Sequence, residues 1–398
     1  MALTGLRIGI DATTWWNLRG FGRFTRLLVS AMLDRESPHQ FVLFVDRPPE
    51  PEMLRPNVHV VHVKTAQTVT EGAVSEGSRS IRDLLAFRTA ARHEKLDVFY
   101  FPTVYSWYPT GRKAPVVVTF HDAIAERYTD LVLPHRIQRA LWHAKTWLAK
   151  REAARITTVT NSAREEIVKY LKIPPEHIAV ILEAADPLFR PVEDVQERAE
   201  MRVRLGLDRH RRYILYVGGI APHKNLLNFT RAFALAIQNE AAKDLQLVIA
   251  GDFNGDGFYS NYAELRELAE SDPDLSDRMH FPGFVAEADL PILYSDALAV
   301  TMPAFSEGFG LPAVEAISCG TPVMATAGGA VAEVIGEAGL YFDPYSIDDM
   351  ARAITTIASD PLLEKTLRVA STARAAKFDW NKSADAMLHV LASAARDW

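Results

Sequence analysis

The chain has 398 residues, 48% hydrophobic and 24% charged, an ordinary globular composition with length for two or three domains. A net charge of −6 gives no basis for generic nucleic-acid binding, and a single cysteine, Cys319, excludes a disulfide within the chain and fits a reducing cytosol. Met1 to Gly9 carries no long apolar core or cleavage signal and no run approaches the roughly twenty apolar residues of a spanning helix, so a soluble protein, or one bound at most peripherally to a membrane surface, is expected.

Leu6 to Ile10 reads as the first strand. Polar and aromatic residues from Asp11 to Arg19 form a loop, and Gly20-Phe21-Gly22-Arg23 leads into a helical pattern through Leu33. Strand, glycine turn and helix is a phosphate-cradling arrangement. It also resembles a dinucleotide fingerprint, but the third glycine is missing and no acidic residue is well placed about twenty positions on. His39 to Val45 and Val58 to Val63 are further strands. Lys64 to Ser80 lacks periodicity and reads as a long binding loop or lid. A helix over Ile81 to Glu94 and strands over Leu96 to Phe101 and Pro115 to Phe120 follow. The last ends in His121-Asp122, at the carboxyl end of a strand, where open α/β sheets bind ligands.

Pro134 to Arg155 predicts a long helix that is basic and carries Trp142 and Trp147. Ile137, Leu141 and Leu148 read as a stripe turned inward, with the basic face in water. A helix of this composition also fits an anionic lipid surface. After a strand at Ile156 to Thr160, Ser162 with Glu165 forms a capping box for the next helix. His177 to Leu182 closes the first half, and the Pro-rich segment Asp186 to Asp194 reads as the linker.

The second half restarts the alternation. A strand over Tyr213 to Val217 precedes Gly218-Gly219-Ile220-Ala221-Pro222-His223-Lys224-Asn225, where Asn225 caps a helix to Gln238 and Lys224 stands at the helix start. Leu245 to Ala250 is a strand. Asp252, Asn254, Asp256 and Gly257 imitate a calcium loop, but position twelve is Ala263 and the flanks are not a helix pair, so no metal is expected. Strands at Met279 to Phe281, Pro322 to Ala325 and Gly339 to Phe342, a helix at Ala286 to Tyr294 and three closing helices complete the pattern.

Between them lies the stretch that organises the rest. Ala297 to Met302 is a buried strand. Gly308 and Gly310 form a loop that lets backbone approach a ligand, and Leu311-Pro312 opens a helix that Gly320 ends. Glu307 stands on the loop and Glu315 about one turn into the helix, on either side of free N–H groups and the positive end of the helix dipole. Two carboxylates beside an anion site make chemical sense if they hold hydroxyls while the N–H groups hold phosphate, and a sugar nucleotide offers both.

Glu307 and Glu315, in the setting Glu-Gly-Phe-Gly-Leu-Pro-x-x-Glu-Ala, resemble the signature of the retaining family-4 glycosyltransferases of the GT-B fold. The likeness runs from the first glycine loop to the tail helix and is weakest between Lys64 and Arg112. It implies an α/β protein of two doubly wound Rossmann-like domains facing a central cleft. An acceptor-binding domain would span residues 1–190 and a nucleotide-sugar-binding domain 191–379, with a tail helix over 380–398 packing back on the first. By the same resemblance, Gly22, Arg23, Lys224, Gly308, Phe309, Gly310, Leu311 and Glu315 bind the donor, while Glu307 and His121 are catalytic. The family's usual Arg before the phosphate-gripping Lys is replaced here by His223.

The implied reaction moves a sugar, with retention, from a nucleotide-sugar donor to a glycan or lipid-linked acceptor. No cofactor or metal is expected, since Lys224 and the helix dipole can take a cation's place. The loop Gly-Phe-Gly-Arg-Phe-Thr looks most like that of mannosyltransferases building cell-surface polysaccharide, which favours GDP-mannose over a UDP-sugar. A nicotinamide-dependent dehydrogenase and a non-catalytic sugar-nucleotide-binding protein remain alternatives. Spectroscopy with nicotinamide cofactors separates the first, and absent donor hydrolysis the second.

Overall fold

A computed structural model describes residues 5–17, 20–66, 80–251, 253 and 260–398. Most of the long loop after Lys64 and the Asp252 turn lie outside the described residues. Contacts divide the chain into two units. The first comprises Met1–Thr129, Leu133–Glu183 and Asp379–Trp398, and the second Asp130–Val132 and Ala184–Phe378. The first unit therefore ends at Glu183, a few residues before the Pro-rich segment.

In the first unit the described strands are β1 (Arg7–Asp11), β2 (Gln40–Val45), β3 (Val58–His62), β4 (Val98–Phe101), β5 (Val116–Thr119), β6 (Ala153–Thr158) and β7 (Ile178–Val180). They form one parallel sheet in the order β3-β2-β1-β4-β5-β6-β7. Ile8 pairs with Phe41 on one side and Val98 on the other, and such apolar runs suit strands covered on both faces. Phe44, Phe99, Phe101 and Tyr108 pack ring against ring in the core, with Phe99 to Phe101 at 4.8 Å and Phe101 edge-on to Tyr108 at 5.0 Å. The helices named below are α1 (Gly20–Leu33), α2 (Ile81–His93), α3 (Arg136–Glu152) and α4 (Asn161–Glu166).

The second unit has β8 (Arg212–Val217), β9 (Leu245–Ala250), β10 (Met279–Gly283), β11 (Ala299–Met302), β12 (Val323–Thr326) and β13 (Gly339–Phe342). These also run parallel, in the order β10-β9-β8-β11-β12-β13. Its helices include α5 (Val195–Arg204), α6 (Leu226–Ala236), α7 (Tyr262–Ser271), α8 (Leu290–Asp296), α9 (Leu311–Ser318), α10 (Gly329–Ile335), α11 (Ile347–Ser359) and α12 (Pro361–Ala375). Phe229 and Phe233 of α6 join Ile354 and Ile357 of α11 in its core.

The final helix, α13 (Trp380–Asp397), belongs to the first unit. Arg35 grips Asp385 through two nitrogens at 2.7 and 2.8 Å, Arg155 reaches Asp397 at 2.9 Å, and Ser383 donates to the Leu182 carbonyl at 2.6 Å. Trp380 adds an edge-on contact to Phe24 of α1.

Three local expectations are corrected. The cap of α4 is Thr160, whose hydroxyl accepts from Ala163 N–H at 3.0 Å, because the chain is already helical at Asn161, one residue before Ser162. Asn225 stands ahead of α6 but does not cap it. It adopts φ 61°, and its amide donates to the carbonyls of Pro303 at 3.1 Å and Pro344 at 2.8 Å. The amide therefore ties three loops rather than a helix end.

The third correction is larger. The apolar stripe of α3 faces outward: Ile137 is 75% exposed and Leu141 59%, with Leu148 and Trp147 also exposed. The inward face sets Ala149 and Trp142 on the core and adds polar links. Trp142 Nε1 donates to Glu126 at 2.8 Å, and buried Glu152 accepts from Thr110 N–H, the Thr110 hydroxyl and Gly111 N–H. Satisfied hydrogen bonds of this kind hold a polar face in place.

Candidate active site

The order of the second sheet reverses between β8 and β11, and ligands of open α/β sheets bind beyond the carboxyl ends of strands at such a point. The loops leaving these two strands carry Lys224 and Glu307. Lys224 Nζ lies 2.7 Å from Oε1 and 2.9 Å from Oε2 of Glu307, with side chains 21% and 14% exposed. The loops are tied by Phe305 N–H to the His223 carbonyl at 2.9 Å. Sequence reading gave the two side chains separate tasks; the structure brings them together.

Around this pair the backbone is drawn tight. Tyr216, its hydroxyl pushed well up by burial and by Glu307, donates to Gly219 O at 2.7 Å and holds the Gly218-Gly219 turn. Gly251, at the end of β9, has no room for a side chain, since a Cβ would sit 2.0 Å from Gly218 O. Burial, then the charge of Lys224, pull His223 down to about 3, so it is neutral at physiological pH and supplies no cation in the place of an arginine.

Gly310 takes φ 90° at the N-terminus of α9, where a side chain would be strained and would press on Val331. The side chains of Phe309 and Leu311 are buried, and Phe309 packs edge-on against Phe378 at 5.8 Å. What these two residues and Gly308 can offer a ligand is backbone N–H. Glu315 is fully buried in α9, and its Oε2 accepts from the buried Tyr294 hydroxyl at 2.8 Å. A ribose hydroxyl would have to reach it beneath the loop rather than on an open face.

In the first unit His121 follows β5, and both of its ring nitrogens face protein. Nε2 is 3.0 Å from the Pro102 carbonyl, which can only accept, so Nε2 carries a proton. Nδ1 lies 3.5 Å from Glu183 Oε1. Burial pushes the Glu183 carboxyl up, against the opposing pull of His121 and Arg23. Phe24 packs edge-on to the His121 ring at 4.7 Å. The neighbouring Asp122 carboxylate accepts Ile124 N–H at 2.9 Å. Glu183 was not foreseen. It sits in no motif, and only its place just past β7 brings it beside His121.

Gly20-Phe21-Gly22 is the first turn of α1 rather than a loop before it. Gly22 is buried, and a Cβ there would fall 2.0 Å from Asn17 O. Its lack of a side chain is thus explained by the protein's own backbone. Arg23 lies near enough to Glu183 for its charge to act there. Among the described residues no three His, Cys, Asp or Glu side chains gather to hold a metal ion. A cavity of about 220 Å³ opens at the amino ends of β4 and β5, lined by Ala91, Lys95, Phe99 and Lys113 and by none of the groups above.

Residues 18–187 match the model of Glycosyltransferase Family 4, and residues 197–376 that of the group 1 glycosyl transferases. The chain belongs to the family-4, group 1 glycosyltransferases. Over 76% of its length it is 29% identical to a D-inositol 3-phosphate glycosyltransferase of Rhodococcus opacus, 68% of which is covered. Over 73% it is 27% identical to the O-antigen chain mannosyltransferase B of Escherichia coli, covering 73% of that protein. The sucrose-phosphate synthase of Thermosynechococcus elongatus has a similar structure, with a TM-score of 0.73 at 21% identity over 97% of this chain and 98% of that one. HepE of Anabaena, solved with UDP-glucose, gives 0.73 at 18% over 98% and 100%. These likenesses place the two Rossmann-like units in the GT-B fold. This glycosyltransferase is thereby not the nicotinamide enzyme that its first glycine turn left open.

Proposed function

We propose that this glycosyltransferase moves a sugar, with retention of anomeric configuration and without a metal, from a nucleotide sugar to a glycan or lipid-linked acceptor. GDP-mannose is the favoured donor and a UDP-sugar the next. The observation that carries the reading is the Lys224–Glu307 pair at the β8/β11 switch point. An arriving diphosphate takes over Lys224, and the backbone N–H groups of Gly308 to Leu311 share its charge. Glu307, released from the lysine, then holds a sugar hydroxyl and sets negative charge beside the developing oxocarbenium. The bond from the anomeric carbon to the diphosphate breaks while the acceptor oxygen bonds on the same face, and the acceptor's proton passes to a diphosphate oxygen. Glu315 accepts from the ribose hydroxyls. The family resemblance also assigns Arg23 and Gly22 of the first unit to donor phosphate and His121 to the sugar.

The preference for mannose draws on the glycine loop and on mannosyltransferases among the relatives, such as the O-antigen enzyme named above. A lipid-linked acceptor would bring the enzyme to a membrane surface. Calorimetry with GDP, UDP, ADP and TDP, followed by transfer assays with the matching mannose and glucose donors in the presence of EDTA, tests the reading. Tightest binding of GDP and transfer that survives EDTA are expected. Preference for another base overturns the donor, and loss of transfer restored by magnesium or manganese overturns the metal-free chemistry.

A further inference from the structure

Helix α3 is amphipathic the wrong way round for a helix that only covers a sheet. Ile137, Leu141, Ala144 and Leu148 fall at spacings of four, three and four residues, one stripe of an α-helix, and all four are exposed. Trp147 stands beside them, half exposed, with the Arg151 guanidinium 4.7 Å above its ring. The opposite face is anchored by Trp142 and Glu152 through the hydrogen bonds described above. An apolar stripe of this length left open on a protein surface marks an interaction site.

Charge says what the site takes. Arg136 is exposed at one end of the stripe and Arg151 at the other, and His143 is exposed between them. Arg112, also exposed, donates to the Arg151 carbonyl at 3.0 Å and adds a cation at that end. The only acid in α3 is Glu152, which is buried and accepts three hydrogen bonds. A protein of net charge −6 thus gathers cations along one apolar stripe, on a helix that itself bears no exposed carboxylate. A second copy paired across a twofold axis would bring cation against cation, so self-association is disfavoured. No helix among the described residues is long and apolar enough to cross a membrane, and α3 has the length and face of a helix that lies in the plane of one.

We propose that the outer face of α3 docks on an anionic lipid bilayer, with Ile137, Leu141, Trp147 and Leu148 in the interfacial region and Arg136, Arg151 and Arg112 against lipid phosphates. Ring stacking from Trp142 to Tyr105 at 5.1 Å, and from Tyr105 to Phe21 at 5.3 Å, links this helix to the first turn of α1. Docking would therefore set a bilayer near the glycine turn of the same unit. This deepens the reading of the acceptor as lipid-linked and rests on it only for that purpose, since docking is measured without donor or acceptor.

The test is sedimentation of the full chain with phosphatidylcholine vesicles and with vesicles that also contain phosphatidylglycerol. Binding to the anionic vesicles alone, weakened by salt, is expected. Leu141→Glu with Leu148→Glu should weaken it by more than about tenfold, since two buried apolar side chains are lost. Arg136→Gln and Arg151→Gln should each weaken it about fivefold. These positions are exposed, so thermal melting should be unchanged and confirms that the variants fold. No binding to anionic vesicles, equal binding to neutral ones, or binding indifferent to the glutamates overturns the proposal. So does a dimer, seen by analytical ultracentrifugation, that the glutamates dissociate, because the face then belongs to a second copy. If vesicles bind but no lipid-linked acceptor is used, the docking face stands and the acceptor reading fails.

Discussion

Each unit sets a carboxylate beside a cationic or protonatable group past the ends of its strands, but under different conditions. In the first, Glu183 and His121 are 5% and 12% exposed, and the imidazole is held by a carbonyl on its far side. In the second, Glu307 and Lys224 are 14% and 21% exposed and meet through three atoms. Burial pushes the Glu183 carboxyl up, so the first pair is governed by the cost of holding charge away from water. In the second pair both partners keep contact with solvent, and one can be traded for a ligand atom of the same charge without stranding the other. A carboxylate locked among its own neighbours positions a ring; one that keeps an edge in water beside a lysine can exchange partners. The comparison predicts that charge changes in the second unit act on turnover, while changes in the first act on folding before they act on chemistry.

Glu307→Gln should give the largest effect. Gln keeps the size and can still accept from Lys224, so the loops stay in place, but the charge beside the oxocarbenium is gone. A fall in kcat of roughly a hundredfold with little change in donor KM is expected, the scale of removing one transition-state electrostatic contact. Steady-state kinetics decide it, and proton NMR of the first product reads the anomer. A fully active variant would remove Glu307 from the chemistry, and an inverted product would contradict retention.

Gly22→Ala sharpens the contrast from the other side. If Gly22 is glycine only to admit a phosphate, alanine should leave stability alone and weaken the donor. The Asn17 carbonyl, 2.0 Å from the position a Cβ would take, predicts the reverse order. A loss of about 1–3 kcal/mol of stability is expected, read as a lowered denaturation midpoint in urea. An unchanged midpoint with weakened GDP binding would return Gly22 to the ligand alone.

Much of this was open to sequence reading, and the failures have physical causes. The alternation of apolar runs and helical patterns located β9 at Leu245–Ala250 and β13 at Gly339–Phe342. It also set Glu307 and Lys224 on loops at strand ends. It could not pair them, because 83 positions separate them and the sheet order that joins β8 to β11 is not a local property. Glu183 was invisible for the same reason. The α3 stripe failed differently. Helical periodicity reports that a helix has an apolar face but not what that face meets. The polar residues that hold the opposite face, Glu152 above all, look in sequence like a solvated rim.

Glu315→Gln should produce a smaller loss than either change above. The amide oxygen can still accept from the Tyr294 hydroxyl, so the buried contact survives, while a neutral group replaces the charged acceptor proposed for ribose. A weakening of about 1.5 kcal/mol in GDP affinity is expected, the low end for hydrogen bonds to charged groups. Tyr294→Phe serves as the control. It removes the hydroxyl partner without touching the proposed ligand contact, and should leave affinity nearly unchanged. If both variants lose affinity alike in a calorimetric titration, Glu315 acts by holding Tyr294 rather than by meeting the nucleotide.

The smallest effect belongs to His223, which stands where an arginine would add charge next to Lys224. Its folded value of about 3 lies below the ordinary 6.5, so folding disfavours the imidazolium. Above about pH 6.5 the ring is neutral in both states, and the residue costs no stability. As pH falls from 6.5 toward 3 the unfolded chain takes up a proton that the folded chain refuses, and stability is lost across that window. His223→Gln should remove this share of acid sensitivity, so that the melting temperatures of the two proteins agree near neutrality and diverge on acidification, with the variant the higher. Affinity for the nucleoside diphosphate near neutral pH should not change, because a neutral ring next to Lys224 adds no charge to the anion site. A wild-type affinity that rises as pH drops from 8 to 6, with the rise absent in the Gln variant, would mean that a bound phosphate draws a proton onto His223. In that case the second unit would hold two exchangeable cations rather than one.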